Sequence, residues 1–136
     1  MGAYDYFDHD ADIGIIGRGE SIETAFTSAA EAMFAIMGTN ACSDPSERVD
    51  IAFAEPDPEL ALVQWLNLLL AEAASRRLLL YRFRLTHHGR EWKGSAQGCP
   101  LNMLDARGTE VKGATLTMLS VSQNAGTWEA RCVVDV

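Results

Sequence analysis

The chain has 136 residues, of which 48% are apolar and 22% are charged, and its formal net charge is −8. This length suits one domain, residues 1–136, that buries a core, and the apolar content excludes a disordered chain. Because phosphate affinity comes mainly from clustered lysines and arginines, the acidic charge argues against a general nucleic-acid-binding protein. Thirteen of the nineteen acidic residues lie within residues 1–60, an excess that suits cation binding or a basic protein partner.

The first elements predicted along the chain are two short strands, near Tyr4–Phe7 and Ile13–Ile16. A helix follows, with Ser21 as its N-terminal cap and apolar residues at helical spacing, and it stops at Gly38. Apolar residues alternate with other residues over 49–53, which predicts a further strand.

The second helix is predicted to begin at the cap Asp57 with Pro58 in its first turn, and to end near Arg76. Period-two patterns beyond it predict strands that include a last one over Trp128–Val136. Helices interspersed among hairpin-linked strands predict an α+β protein, with two helices packed on largely antiparallel sheet.

Three cysteines, Cys42, Cys99 and Cys132, are odd in number and show no C-x-x-C spacing. This pattern fits neither a disulfide framework nor a zinc site, so we expect three reduced thiols. No secretory signal opens the chain, and its most apolar run, over 60–74, is too short and too polar to span a bilayer. We therefore expect a soluble cytoplasmic protein without membrane contact.

The densest chemical feature is the motif Asp8-His9-Asp10-Ala11-Asp12. Three carboxylates at this spacing repel one another unless a cation or hydrogen-bond donors lie among them. Carboxylate oxygens prefer Ca²⁺, Mg²⁺ or Mn²⁺. The EF-hand template fails, because Ile13 stands where its glycine belongs and Gly19 where its glutamate belongs. A different cation site and a polar turn both remain open.

Other candidate sites are weaker. Gly17-Arg18-Gly19 lacks the third glycine of a dinucleotide loop and the lysine of a phosphate-binding loop, so a tight turn explains it better. The chain shows no signature of a covalent nucleophile, and we expect no catalytic residue. Lys112 lies two residues from Glu110, which alternation places on the same side of a predicted strand.

The sequence resembles the archease family. The likeness is carried by Asp8-His9-Asp10-Ala11-Asp12-Ile13, by the helix start at Ser21, by Gly108-Thr109-Glu110-Val111-Lys112-Gly113-Ala114 and by the ending Val134-Asp135-Val136. Asp10 replaces the usual threonine, and Gly113 stands where alanine is common. The resemblance implies an archease-like α+β domain.

The resemblance also implies a role and a set of residues. Archeases assist RtcB-type tRNA-splicing RNA ligases by promoting the GTP-dependent guanylylation of the ligase and its multiple turnover. The family's metal ligands fall on Asp12, Asp135 and the terminal Val136, with Ca²⁺ favoured and Mg²⁺ and Mn²⁺ as alternatives. Lys112 becomes a candidate contact to the ligase.

Two other functions remain open at this stage. A metal-independent chaperone or adaptor for RNA-modifying enzymes would need an exposed apolar surface. A stand-alone metal-dependent hydrolase would need a general base beside the metal, for which His9 is the candidate.

Overall fold

The computed structural model describes residues 3–40, 42 and 47–136, except for the side chains of residues 40, 105 and 106. In these residues, ten strands and two α-helices form the regular structure. In chain order they are β1 (Tyr4–His9), β2 (Asp12–Gly19), α1 (Ile22–Met37), β3 (Gly38–Asn40), β4 (Glu47–Ala54), α2 (Pro58–Arg76), β5 (Leu78–His88), β6 (Glu91–Pro100), β7 (Leu104–Arg107), β8 (Gly113–Ala114), β9 (Ser120–Asn124) and β10 (Thr127–Asp135). A short 3₁₀ turn, Leu101–Met103, links β6 to β7.

All strand pairs in these residues are antiparallel. The larger sheet runs β1-β2-β10-β8, with β9 also paired to β10, and a second sheet runs β4-β6-β5. The prediction of an α+β fold with antiparallel sheet is confirmed. The short pair β3–β7 was not predicted, because strands of three and four residues show too little alternation to be recognised.

Both helices begin at the predicted caps. Ser21 Oγ accepts a hydrogen bond of 3.1 Å from the Thr24 amide, and Asp57 Oδ1 accepts the amides of Glu59 and Leu60. The cap residues thus satisfy amides that have no partner within the helix. The end of α2 is less conventional, since Arg77 adopts the left-handed conformation, with φ of 57°, that glycine usually takes.

The core lies where the two helices meet both sheets. Trp65 of α2 is fully buried, and its indole Nε1 donates a 3.1 Å hydrogen bond to the carbonyl of Phe26 in α1. The Phe26 ring stacks on Trp92 of β6, with 5.0 Å between the ring centroids. These contacts join α1, α2 and the smaller sheet in one apolar cluster, so the chain forms one core.

The expectation of three reduced thiols is wrong for two of them. Cys42 and Cys99 form a disulfide, with 5.9 Å between their Cα atoms, and Cys132 is free and buried. The two partners lie 57 residues apart in the chain, so their pairing depends on the fold and not on a local spacing. Burial raises the pKa of the Cys132 thiol to about 12, which leaves it a poor nucleophile.

Neither described helix is both long enough and apolar enough to cross a membrane. This finding agrees with the sequence, in which polar residues interrupt the apolar stretch of α2.

The disulfide generates a prediction about stability. Cys42→Ser should lower the free energy of unfolding by roughly 2–4 kcal/mol, because the native cross-link closes a long loop in the unfolded chain. Denaturant titration without reductant measures the loss. Dithiothreitol should destabilise the original chain by a similar amount and leave the variant unchanged. Three titratable thiols in the unreduced, denatured protein would contradict the disulfide.

Candidate metal centre at the end of the larger sheet

The acidic motif forms the turn of the β1–β2 hairpin. His9 pairs with Asp12 across the hairpin, and Asp10 and Ala11 form the turn between them. Asp10 is exposed and has φ of 53°, a left-handed conformation that aspartate tolerates better than most residues. Asp10 therefore has a structural role at this turn.

The hairpin places the motif's carboxylates on different faces of the sheet. Directly paired residues of antiparallel strands share a face, so Asp8 lies with Ile13 on the side of the sheet that packs on α1. His9 and Asp12 lie on the outer face. The sequence spacing alone suggested one cluster of three carboxylates, but the alternation of the strand separates Asp8 from Asp12.

The last residues of the chain lie beside Asp12. Strand β10 pairs antiparallel with β2, and Val134 is opposite Ile13, so one further step of the register puts Asp135 opposite Asp12. The amide of Val136 donates a 3.2 Å hydrogen bond to Asp12 Oδ1. The structure thus brings together the three residues predicted as metal ligands, although Asp12 and Val136 are 124 positions apart.

Lys112 lies at the same end of the sheet. Its backbone amide donates a 2.7 Å hydrogen bond to the carbonyl of Asp135, and its side chain is exposed. The predicted strand carrying both Glu110 and Lys112 is wrong: residues 108–112 form no strand, and β8 begins only at Gly113. Within the described part of the chain, Lys112 has no ion-pair partner, so its ammonium group is available to a ligand or partner.

Asn67 of α2 holds β8 in place, a role that the sequence did not reveal. Its Nδ2 donates to the carbonyl of Ala114 at 3.1 Å, and the amide of Ala114 donates to its Oδ1 at 2.9 Å. The available signal was a polar residue within the apolar stretch of α2. At the neighbouring Gly113, an added Cβ would meet Asn67 Oδ1 at an ordinary 3.6 Å, so the local packing leaves room for the alanine common in the family.

The outer face also carries a network of opposite charges. Arg18 contacts Asp5 at 2.8 Å and Glu129 at 3.3 Å, and Arg131 contacts Glu129 at 2.9 Å. The hydrogen bond from Arg131 is the main reason that the pKa of Glu129 lies below its ordinary value. These arginines are therefore already neutralised by carboxylates, in contrast to Lys112.

Asp12 and Asp135 offer carboxylate oxygens, the ligand type that hard divalent cations prefer. Asp12 is half-buried and oriented by the Val136 amide, whereas Asp135 is exposed. Within residues 3–40, 42 and 47–136, no three His, Cys, Asp or Glu side chains form a cluster suited to a metal ion. Two side-chain carboxylates are too few for a complete coordination shell, so further oxygen atoms must come from the backbone, water or a partner.

Fold and site together define a small α+β protein in which Asp12 and the chain-distant Val136 are hydrogen-bonded at the end of a central strand pair. The model of the archease protein family matches residues 4–136. Protein archease of Sulfolobus acidocaldarius is 37% identical, with each chain covered completely, and that of Methanosarcina mazei is 33% identical over 98% of this chain and 95% of its own. The chain belongs to the archease family.

Solved structures share the fold. The solution structure of Methanobacterium thermoautotrophicum protein 1598 has a TM-score of 0.79 at 23% identity and covers both chains completely. The crystal structure of an archease from Thermotoga maritima, described as a possible chaperone, has a TM-score of 0.68 at 21% identity, over 96% of this chain and 94% of that one. At these identities the likeness supports the fold and not a shared activity.

Asn67 yields the next prediction. Asn67→Leu should release β8 and speed hydrogen exchange at the Ala114 amide, because both side-chain hydrogen bonds to that residue are lost. Hydrogen exchange followed by NMR measures the effect. As a matched control, Gln64→Leu removes another polar side chain of α2, whose hydrogen bond goes to Glu55, and should leave Ala114 unchanged. Equal protection of Ala114 in Asn67→Leu would contradict the role.

Proposed function

We propose that this protein is a non-catalytic activator of an RtcB-type RNA ligase, acting in tRNA splicing or RNA repair. In this role it promotes the GTP-dependent guanylylation of the ligase and allows repeated turnover. Membership of the archease family supports the proposal, together with the likeness of its terminal motifs to those of the family.

The observation that carries the proposal is the meeting of Asp12, Asp135, Val136 and Lys112 at one end of the larger sheet. Asp135 and Lys112 are exposed at this end of the sheet and Asp12 is half-buried, so a partner protein can reach both the acidic and the basic side chains. A site of this composition can present a divalent cation and a positive charge to an anionic group of the partner, such as a nucleotide phosphate.

In this proposal Asp12 and Asp135 hold the cation, with Ca²⁺, Mg²⁺ and Mn²⁺ as candidates, and the terminal carboxylate of Val136 adds a further oxygen. When bound, the cation supplies charge neutralisation at the ligase and its nucleotide. The Val136 amide keeps Asp12 Oδ1 in position, and Lys112 contacts the ligase or a phosphate. His9 shares the outer face with Asp12, but we assign it no catalytic role.

We also place the protein in the cytoplasm. Intracellular disulfides are uncommon in most cells but frequent in hyperthermophilic archaea and bacteria. The Cys42–Cys99 disulfide has precedent among the intracellular proteins of those organisms.

The first test of the proposal is metal binding. Titration calorimetry with Ca²⁺, Mg²⁺ and Mn²⁺ should detect at least one binding event, and Asp12→Asn or Asp135→Asn should weaken it at least about tenfold, since each removes a charged ligand. One added C-terminal glycine should also weaken it by displacing the terminal carboxylate.

Asp50→Asn is the matched control for this titration, because Asp50 is an exposed aspartate of the smaller sheet that pairs with Arg48. Its binding should equal that of the original chain. The metal site is wrong if the original chain binds none of the three cations, or if both Asp12→Asn and Asp135→Asn bind as it does.

The second test is a ligation time course with limiting RtcB-type ligase, GTP and excess RNA. The protein should raise both the guanylylated fraction of the ligase and the number of turnovers. Lys112→Gln should reduce this stimulation but preserve metal binding, whereas Asp12→Asn should reduce both. Lys93→Gln, at the only other lysine of the chain, is the matched control and should stimulate fully.

The outcome of this time course separates activation from general chaperoning. Stimulation that survives removal of metal by a chelator, together with suppressed aggregation of unrelated proteins, would replace the proposal with a chaperone or adaptor function. Phosphoester turnover by this protein without ligase would show an enzyme instead.

A further inference from the structure

The turn between β8 and β9 exposes two large apolar side chains. Leu116 is 63% exposed and Met118 is 53% exposed. Single apolar residues at a protein surface are common, but two of them in one short turn form a local apolar surface. Neither residue belongs to the candidate metal centre, so this surface needs a separate explanation.

The backbone of this turn is strained at Met118. The amide of Leu119 donates a 3.3 Å hydrogen bond to the carbonyl of Leu116, which closes a four-residue turn. Met118 is the third residue of the turn and has φ of 56°, a conformation that favours glycine over residues with a Cβ atom. More than half of the surface of Met118 stays exposed, so burial within this chain offsets the strain only in part. Strain of this kind is frequent where a side chain contacts a ligand or a partner.

Hydrogen bonds to β10 hold the turn in one conformation. The Thr115 amide donates to the Val133 carbonyl at 3.0 Å, and the Val133 amide donates to the Thr117 carbonyl at 3.0 Å. The Thr115 hydroxyl donates to the same Val133 carbonyl at 2.8 Å and accepts the Thr117 amide at 3.1 Å. Leu116 and Met118 are thus presented on a fixed backbone, so a partner that buries them pays little entropy for ordering the chain.

The turn lies beside the candidate metal centre. Within β10, Val134 pairs with Ala114 of β8, and the neighbouring Val133 bonds to the turn. The turn is therefore two residues from Asp135 along β10, a span of roughly 7 Å. A partner protein that covers Asp135 and Lys112 lies within contact range of the turn as well.

The turn also adjoins the first half of α2. Asn67 of α2 bonds to Ala114 just before the turn, and Glu59 Oε2 accepts the Val121 amide at 3.4 Å just after it. The connection from β8 to β9 therefore runs along α2 between these two contacts. Leu60, next to Glu59, is 42% exposed and adds a further apolar side chain at this end of the helix.

The composition of this surface favours a protein as its occupant. Apolar side chains surrounded by polar and charged residues are typical of protein interfaces, and methionine adapts its shape to apolar pockets. RNA is bound mainly through basic groups, and residues 115–119 contain none.

We propose that Leu116 and Met118 insert into an apolar pocket of the same partner protein that meets Asp135 and Lys112. This inference rests on the proposed function, in which that partner is an RtcB-type ligase, and it adds the contact that holds the two proteins together. The charged groups act at the nucleotide of the ligase, whereas the apolar pair supplies affinity. Burial of two such side chains contributes more to binding than exposed ion pairs do.

The test measures binding of the full chain to an RtcB-type ligase by biolayer interferometry in ligation buffer. Leu116→Ser and Met118→Gly should each raise the dissociation constant at least about tenfold, because each removes a side chain that the partner buries. Met118→Gly should do so with an equal or higher melting temperature, since glycine adopts a positive φ without strain. A side chain needed only for folding would lower the melting temperature instead.

Met103→Ser is the matched control. Met103 is also 53% exposed, and it lies in the 3₁₀ turn whose first amide bonds to the Arg77 carbonyl at the far end of α2. This variant should bind the ligase as the original chain does.

The ligation time course separates docking from metal presentation. With Leu116→Ser, the concentration that gives half-maximal stimulation should rise about tenfold, and the maximum should stay the same because docking is restored by mass action. Calorimetric metal binding should equal that of the original chain, since Leu116 supplies no ligand atom.

Three results would overturn the proposal. If the original chain stimulates the ligase and both turn variants bind it equally well, the turn is not a contact and the proposed function stands. If the original chain neither binds nor stimulates the ligase, the proposed function fails and this contact with it. If sedimentation velocity detects a dimer of the original chain that Met118→Gly abolishes, the turn binds a second copy of this chain.

Discussion

The antiparallel pairing of β2 with β10 is the contact on which the rest of this structure depends. It joins residues near the two ends of the chain, so its loop-closure entropy must be offset by burial of Ile15, Cys132 and Val134, each fully inaccessible. The same register places Asp135 beside Asp12 and holds the final residue against the Asp12 carboxylate. Stability and the candidate metal centre therefore rest on one strand pair.

Close packing of α1 on this strand pair is the second constraint. A Cβ at Gly17 would collide with the Ala25 carbonyl oxygen and the Ala29 amide nitrogen, so only glycine lets the helix approach this closely. Ser28 adds a 2.9 Å hydrogen bond from its hydroxyl to the carbonyl of Arg18. Together these contacts hold α1 against β2.

The larger sheet consequently separates two chemistries. Its outer face carries the neutralised charges around Arg18 and ends at Asp12 and Asp135. Its inner face is apolar and packs on α1. In our proposed function, the site at Asp12 and Asp135 presents a cation to an RNA ligase.

Local signals in the sequence determined the two helices and the α+β class. The caps Ser21 and Asp57 mark where the helices begin, and apolar residues that repeat every 3.6 or every two residues distinguish helices from strands. The resemblance of the motifs to those of the archease family also indicated Asp12, Asp135 and Val136 as one set of metal ligands. Only the fold shows that these residues lie at the same end of the sheet. The Cys42–Cys99 disulfide, the support of β8 by Asn67 and the separation of Asp8 from Asp12 were decided by the tertiary structure. Caps and periodicity act over a few residues and can be read from neighbours in the chain. Disulfide pairing, long-range hydrogen bonds and sheet faces depend on register between distant strands, which packing of the whole core selects.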